Sequence, residues 1–442
     1  MRYNGVSMKI AIVGYGKEGQ SAYNYWQSDT NQLTICDQNL YVHLPDDVQG
    51  QLGLEYLHGL DQFDLIVRSP SVHPRDIVKA NSETILSKVT TVTNEFFRVC
   101  PSKNIIGVSG TKGKGTTSTL IAKILEANGK KVHLGGNIGI PTLDLLIDHT
   151  NSSDYVVLEL SNFQLVDLNY SPHIAVCLIV VPEHLNWHTD MAEYIAAKQH
   201  LFSHQQPSDI AIYFADNDIS RQIASSSAGQ TIPYFAEPGA LVKDGYVTID
   251  GHSLCRTAEL QLLGRHNWQN VCAAVTAAWQ ISHDVESIRQ LLINFTGLEH
   301  RLEFVREVEG VKFYNDSFAS APDAAIAAME AVSGSKIMIM GGFDRHLPLE
   351  HLAKATKSHE AELRKVILIG ESAERLAKEF SKACFNNFEI TTAQDLSVII
   401  AKARSFAQKG DSVVLSPGFA SFDMFKNFED RGQQYKAVVE QL

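Results

Sequence analysis

The chain has 442 residues, 44% apolar and 20% charged, with 38 basic against 50 acidic side chains. Its length predicts two or three domains rather than one core, and its net charge of −12 excludes a general nucleic-acid binder, which carries a basic surplus. No apolar run reaches the roughly 18 residues that span a bilayer. The opening stretch MRYNGVSMKIAIVG has a short apolar run and no small-residue cleavage site. It reads as the approach to a strand, with Met8 as an alternative start, and not as a signal peptide. The cysteines (Cys36, Cys100, Cys177, Cys255, Cys272, Cys384) are scattered, mostly in apolar segments, without a CxxC or Cys/His metal spacing. Buried free thiols in a reducing cytoplasm are expected.

Up to about residue 100, strands and helices alternate. KIAIVG reads as a short strand, KEGQSAYNYWQ as a helix and LTICD as a second strand; FDLIVRSP and KVTTVTNEFF add further strand signals. This order predicts a parallel sheet flanked by helices. After the first strand comes GYGKEG, a G-x-G-x-x-G turn of Gly14, Gly16 and Gly19, and Asp37 ends the next strand. That is the fingerprint of a dinucleotide site, although Gly19 is equally explained by close helix–strand packing. The turn points to an anion without saying which.

A second segment opens near Pro101. NIIGVSG is a strand, TTSTLIAKILEANG a helix ending at Gly129, and SGTKGKGTT lies at their junction. Backbone N–H groups in a glycine loop at a helix N-terminus cradle phosphate oxygens. A lysine adds charge near the β and γ phosphates, and a hydroxyl beyond it ligates Mg²⁺. Gly110, Gly113, Lys114, Thr116 and Thr117 supply these parts. The strict G-x4-G-K-[ST] form is not met, because Gly115 stands where the hydroxyl belongs; the strand–loop–helix context still argues against a bare glycine turn. YVVLEL and IAVCLIVV are near-continuous apolar strands, as expected where both sheet faces are covered. Glu159 sits near the carboxyl end of the first, where ligands gather in open α/β sheets. His184, Asn186 and His188 share the following loop, and Lys198 lies on the helix MAEYIAAKQHLF. Taken alone, they read equally well as a loop hydrogen-bonder and a surface lysine. GRHNWQNVCAAVTAAWQI is another helix.

A third α/β unit begins near FTGLEHRLEF at residue 295. KFYNDSF, KIMIMGGF, KVILIG and SVVLSPG read as strands ending in turn or polar residues, with helices such as DAAIAAMEAV between them.

Eight pieces, GTKGKGTT, LELSNFQL, EHLNWH, AAKQHLF, GRHNWQN, GLEHRLEFV, NDSFAS and SPGFASFDMFKNFEDRG, resemble motifs of the Mur ligase family in order and across nearly the whole chain. That family also includes folylpolyglutamate synthetase. The resemblance implies three α/β domains: a Rossmann-like UDP-binding domain over 1–100, a P-loop ATPase-like domain over 101–297 and a Rossmann-like amino-acid-binding domain over 298–442. It implies a cytoplasmic, monomeric ligase of peptidoglycan precursor synthesis, with no nucleic-acid or membrane partner. ATP would phosphorylate the carboxylate of UDP-N-acetylmuramoyl-L-alanine, and the amine of glutamate, D-glutamate foremost, would attack the acyl phosphate.

By the same resemblance, Gly110, Thr111, Lys112, Gly113, Lys114, Gly115, Thr116 and Thr117 contact ATP together with Asn267, Asn270, Arg301 and Asp316. Lys114, His184 and Lys198 are the catalytic set. Thr116, Glu159, His184 and Lys198 hold two Mg²⁺ ions, Lys198 as a carbamate that turns a cation into a ligand for a hard metal. Lys17, Glu18, Asp37, Gln38, Ser71, Asn137, Ser161 and Gln164 fall to the UDP substrate, and Arg345, Ser421, Phe422 and Phe428 to the amino acid. Arg345 replaces a family lysine, and Phe318 and Ser320 replace lysine and threonine, so L-glutamate or another acceptor stays open. A folylpolyglutamate-type ligase lacks the glycine-rich first unit. An NAD-dependent oxidoreductase leaves the second glycine loop unexplained. A non-catalytic nucleotide-binding regulator would bind ATP without amino-acid-dependent phosphate release.

Overall fold

The structure, a computed structural model, describes residues 7–28, 30–46, 48–147, 150–262 and 264–442. The first six residues of the opening stretch lie outside them. The chain forms two compact units, Met1–Glu259 with His266–Ile293, and Leu260–Arg265 with Asn294–Leu442.

The first unit contains two parallel sheets. One is built from β1 (Lys9–Val13), β2 (Gln32–Asp37), β3 (Gln49–Leu52), β4 (Leu65–Arg68) and β5 (Val89–Thr90), in the order β3-β2-β1-β4-β5. The other comprises β6 (Ile105–Ser109), β7 (Val132–Gly136), β8 (Tyr155–Glu159), β9 (Ile174–Cys177), β10 (Ile210–Phe214) and β11 (Gln230–Tyr234), in the order β11-β10-β9-β6-β8-β7. A small antiparallel sheet follows, β12 (Leu241–Lys243), β13 (Tyr246–Ile249) and β14 (His252–Arg256). One apolar core runs through both parallel sheets: Ile10, Ile12 and Val67 belong to the same cluster as Phe96, Val156 and Leu158. Arg68 at the end of β4 is fully buried and bolts the sheets together. It donates to both oxygens of Asp167 at 2.6 and 2.9 Å, to Val72 O at 2.8 Å and to Phe163 O at 3.1 Å.

Two strand expectations are corrected here. KVTTVTNEFF is a strand only over Val89–Thr90, then a helix over Val92–Val99. Thr91 caps that helix by accepting the Asn94 N–H at 3.0 Å, and Val92, Phe96 and Phe97 fall on the buried face; the apolar alternation had two readings and burial chose the helical one. IAVCLIVV leaves the sheet after Cys177, because Ile179 and Val181 turn to hydrogen-bond Thr111 instead of a strand: Thr111 N donates to Ile179 O at 2.7 Å and Val181 N to Thr111 Oγ1 at 3.0 Å.

The second unit holds β15 (Glu303–Val308), β16 (Val311–Asn315), β17 (Lys336–Gly341), β18 (Leu363–Ile369), β19 (Phe388–Ile390) and β20 (Ser412–Leu415), in the order β15-β16-β20-β17-β18-β19. Only β15 runs antiparallel to its neighbour. Alternate residues of β17 feed two cores, Met338 and Met340 one, Ile337 and Ile339 the other. That is the pattern of a strand covered on both faces. Five cysteines are buried free thiols; Cys384 is exposed, contrary to expectation. It sits at φ 58° in the turn after a helix, where local geometry and not core packing sets its position.

Candidate active site

The phosphate-type loop runs from the end of β6 into the helix Lys114–Ala127. Gly113 caps the helix at φ 89°, and a Cβ there would stand 2.1 Å from Asn270 Oδ1. Asn270 in turn donates to Asn267 Oδ1 at 3.0 Å. Gly113 thus has both a conformational and a steric reason. If the loop holds ATP, as the resemblance implies, Gly113→Ala should push Asn270 out of place and raise the KM for ATP by at least about tenfold, the equivalent of roughly 1.4 kcal/mol; an unchanged KM in a folded variant would refute it. Lys114 Nζ lies against the loop itself, donating to Gly110 O at 3.0 Å and Thr111 O at 3.1 Å. Thr111 is pinned by Val181 and by Tyr194 Oη at 3.0 Å, while Lys112 pairs with Glu183 at 2.8 Å on the exposed side. Thr116 and Thr117 are buried in the first helical turn.

Lys198 reaches this loop from the helix Met191–Gln199. Its side chain is 1% exposed, with Nζ 3.2 Å from Gly110 O, 3.4 Å from Ser109 Oγ and 4.7 Å from the Tyr194 ring centroid. Burial, followed by repulsion from Lys114, brings its pKa down to about 7. Two lysine amines thus face one loop. The same crowding leaves Lys198 partly neutral at physiological pH.

Glu159 ends β8, whose register sets it beside Val108 on β6. It is buried, and its Oε1 accepts the Asn137 side-chain amide at 2.7 Å. His184 stands at φ 58° with its ring 4.8 Å from that of Phe163. Its pKa is lowered by burial first, with Lys114, Lys198 and Lys112 adding to the effect against Glu183. Glycine loop, Glu159, His184, Lys198 and Asn270 thus share the first unit. Glu159, Thr116 and a carbamylated Lys198 would give a hard cation the oxygen donors it takes.

The first sheet presents the other glycine turn. A Cβ on Gly19 would lie 2.1 Å from Gly14 O, so close helix–turn packing accounts for that glycine. Asp37 uses both oxygens to hold backbone, from Tyr15 N at 2.6 Å and Asn39 N at 2.8 Å. Glu18 and Gln164 meet directly, Gln164 Nε2 donating to Glu18 Oε1 at 2.6 Å, while Ser161 N and Oγ donate to Gln164 Oε1. Burial brings the Glu18 carboxyl up to about 7. Lys17, Gln38, Ser71 and Asn137 are exposed.

In the second unit, Asp316 follows β16. It accepts Ser416 Oγ at 2.6 Å and Leu302 N at 3.0 Å, and burial raises its carboxyl to about 7. The Arg301 guanidinium lies 4.0 Å from the Phe318 ring centroid, and Phe318 packs edge-on against Phe428 at 5.0 Å. Ser421 is buried; Arg345 and Phe422 are exposed. Arg431, not singled out in the sequence, is 1% exposed and donates to Ser317 Oγ and O and to Phe419 O, tying the 315–317 turn to the 417–421 loop.

His188 also went unassigned. It is buried, Asn162 Nδ2 lies 2.8 Å from its Nε2, and burial brings its pKa down to about 4. Its place in EHLNWH was the available signal.

Among known families, the chain matches "Mur ligase middle domain" over residues 108–278 and "Mur ligase, glutamate ligase domain" over 300–419. Relatives named UDP-N-acetylmuramoylalanine–D-glutamate ligase include that of Clostridium acetobutylicum, 36% identical over 456 residues, covering 98% of this chain and 96% of the relative. That of Acetivibrio thermocellus is 36% identical over 458 residues, with the same coverage of 98% and 96%. Among solved structures, the UDP-N-acetylmuramate–alanine ligase MurC of Thermotoga maritima is similar with a TM-score of 0.61 at 15% identity, over 98% of this chain and 99% of that one. The MurF ligase of Thermotoga maritima, in complex with ADP, gives a TM-score of 0.58 at 17% identity, over 86% and 90%. These two likenesses bear on the fold.

Proposed function

The chain belongs to the Mur ligase family, and we propose that it is the ligase that joins D-glutamate to UDP-N-acetylmuramoyl-L-alanine with consumption of ATP, in peptidoglycan precursor synthesis. The relatives' shared name supplies the substrates. The observation that carries the chemistry is the pair of lysines on one glycine loop, half-buried Lys114 and buried Lys198 both reaching Gly110 O. The oxidoreductase and regulator readings fall with the family.

A carboxylate is a poor electrophile and repels a triphosphate. Lys114 offsets that repulsion when it leaves the loop carbonyls for the phosphates, and the loop amides and Asn270 fix the triphosphate for in-line transfer. The γ-phosphoryl group passes to the substrate carboxylate, giving an acyl phosphate and ADP. The glutamate amine then attacks the acyl carbon, loses its proton, and phosphate leaves. Thr116, Glu159, His184 and Lys198 are the residues we assign to magnesium. The ion supplies charge neutralisation between triphosphate and carboxylate. Lys198 reaches its ligand form when its neutral amine adds to carbon dioxide with loss of one proton, a step favoured by a pKa of about 7.

The two parallel sheets and the mixed sheet of the second unit support assigning 1–100 to the UDP-sugar in a Rossmann-like domain, 101–297 to ATP in a P-loop ATPase-like domain and 298–442 to the amino acid in a Rossmann-like domain. Lys17, Glu18, Asp37, Gln38, Ser71, Asn137, Ser161 and Gln164 take the UDP-sugar; Arg345, Ser421, Phe422 and Phe428 take glutamate; Asn267, Arg301 and Asp316 complete the ATP contacts. The monomeric state and a cytoplasmic location belong to the same reading; among the described residues no helix is long and apolar enough to cross a membrane. Phe318 removes the cation that the family pattern places there. The Arg301 guanidinium, assigned to ATP, lies 4.0 Å from the Phe318 ring centroid. The test is phosphate release with UDP-N-acetylmuramoyl-L-alanine and D- or L-glutamate. Release that depends on D-glutamate is expected; a preference for L-glutamate, or no release with either, overturns the assignment.

A further inference from the structure

A row of rings crosses the first unit from the UDP-side loop to His184. The His73 and Trp187 centroids lie 4.1 Å apart, Trp187 and Phe163 4.8 Å, and Phe163 and His184 4.8 Å. Polar contacts run alongside. Trp187 Nε1 donates to Ser71 O at 3.5 Å, and Arg75 Nη2 donates to Trp187 O at 3.1 Å. Glu193 closes the arrangement: its Oε1 meets His73 Nε2 at 3.2 Å and Arg75 Nη1 at 3.7 Å, while its Oε2 accepts Thr189 N at 2.6 Å and Thr189 Oγ1 at 2.9 Å.

His73, His188 and Glu193 place ligand-type atoms within 4.8 Å of one another, which resembles a metal site. The tautomer argues otherwise. His73 Nδ1 accepts the Arg75 N–H at 3.0 Å as the cap of the helix Pro74–Ala80, so the ring proton sits on Nε2 and is donated to Glu193. The cluster is a hydrogen-bonded clasp between the loop after β4 and the loop that carries His184.

We infer that Trp187, clasped by His73, Arg75 and Glu193, is a positioning residue that couples occupancy of the UDP-sugar site to the placement of His184 at the metal. The inference rests on the ligase reading, in which Ser71 contacts the UDP-sugar and His184 the metal. Ser71 O accepts from the Trp187 indole, His184 ends the row of rings two steps further on, and Trp187 N donates to His184 O at 3.0 Å, so Trp187 lies between Ser71 and His184 on both the ring and the hydrogen-bond paths. A shift of the 71–75 loop on sugar binding would therefore move the indole, and with it Phe163 and the His184 ring. Coupling of this kind is reciprocal.

The test is Mn²⁺ binding, followed by electron paramagnetic resonance of the free ion, to the full-length protein saturated with a non-hydrolysable ATP analogue, with and without UDP-N-acetylmuramoyl-L-alanine. In the parent protein the sugar should tighten Mn²⁺ by about tenfold; in Trp187→Ala the ratio should fall below about twofold. His73→Asn is the second variant, since asparagine keeps an acceptor for the helix cap but removes the ring and the donor to Glu193. It should lower the ratio in the same direction. A merely structural role would lower the melting temperature and leave the ratio intact, and that result overturns the inference, as does a parent ratio near one. Failure of the ligase reading shows separately, as absence of glutamate-dependent phosphate release by the parent protein.

Discussion

Lys198→Ala should lower kcat by about 10³-fold, roughly 4 kcal/mol of transition-state stabilisation, with a far smaller change in the KM for the UDP-sugar. The ammonium lies fully inside the protein against Gly110 O and Ser109 Oγ, with a second lysine facing the same loop. Such a placement is costly for a structural cation and suited to one that becomes an anion. Carbon dioxide adds only to the free amine. At pH 7 an ordinary lysine is neutral in about one molecule per several thousand, whereas a group titrating at about 7 is neutral in about half. Stripping dissolved carbon dioxide should thus inactivate the parent enzyme, and recovery at fixed dissolved carbon dioxide should speed up as pH rises through about 7. Short carboxylates should restore part of the rate of Lys198→Ala and leave Lys198→Arg unaffected. The sign of the stability effect follows from the same shift. Between about pH 7 and 10.5 the unfolded chain binds more protons at this residue than the folded one, so the uncarbamylated protein gains stability as pH rises across that window. Below it both forms are charged and the gain is absent. More than a third of parental turnover in Lys198→Ala would rule the carbamate role out.

What could be read from the sequence was what local backbone chemistry imposes. Gly113 and Lys114 were legible because a strand, a left-handed glycine and a helix start must follow one another to make an anion cradle. Glu159 was legible because open parallel sheets gather ligands at strand ends. Arg68 was not. Its partners, Phe163 and Asp167, lie 95 and 99 residues away, and nothing local distinguishes a bolt between sheets from a surface arginine. Glu193 failed to stand out for the same reason, its partner His73 being 120 residues distant. The run Leu178–Val181 misled because an apolar segment that packs over the phosphate loop has the composition of a buried strand. The pairing of Glu18 with Gln164 lay between two residues already chosen for the UDP-sugar; the resemblance supplied both names and neither the contact nor the raised carboxyl pKa.

Lys114→Met should reduce kcat/KM for ATP by about 10³-fold, near the upper range for deleting one charged donor at a transferring group. Methionine keeps the length and loses the ammonium, so Thr111 O loses the Lys114 donor and Gly110 O keeps only Lys198, while the packing survives. A second consequence separates this variant from a simple loss of phosphate affinity. Repulsion from Lys114 ranks next after burial among the causes that depress Lys198. Its removal raises the Lys198 pKa, lowers the neutral fraction at pH 7 and weakens carbamylation. Lys114→Met should therefore need more bicarbonate than the parent for half-maximal rate, and the excess should shrink as pH rises. The two lysines then act as a unit, and the losses in Lys114→Met and Lys198→Ala should add to less than their sum in the double variant. An unchanged bicarbonate requirement together with full additivity would mean that each lysine works alone. The crowding of two cations on one loop would then have no part in preparing Lys198.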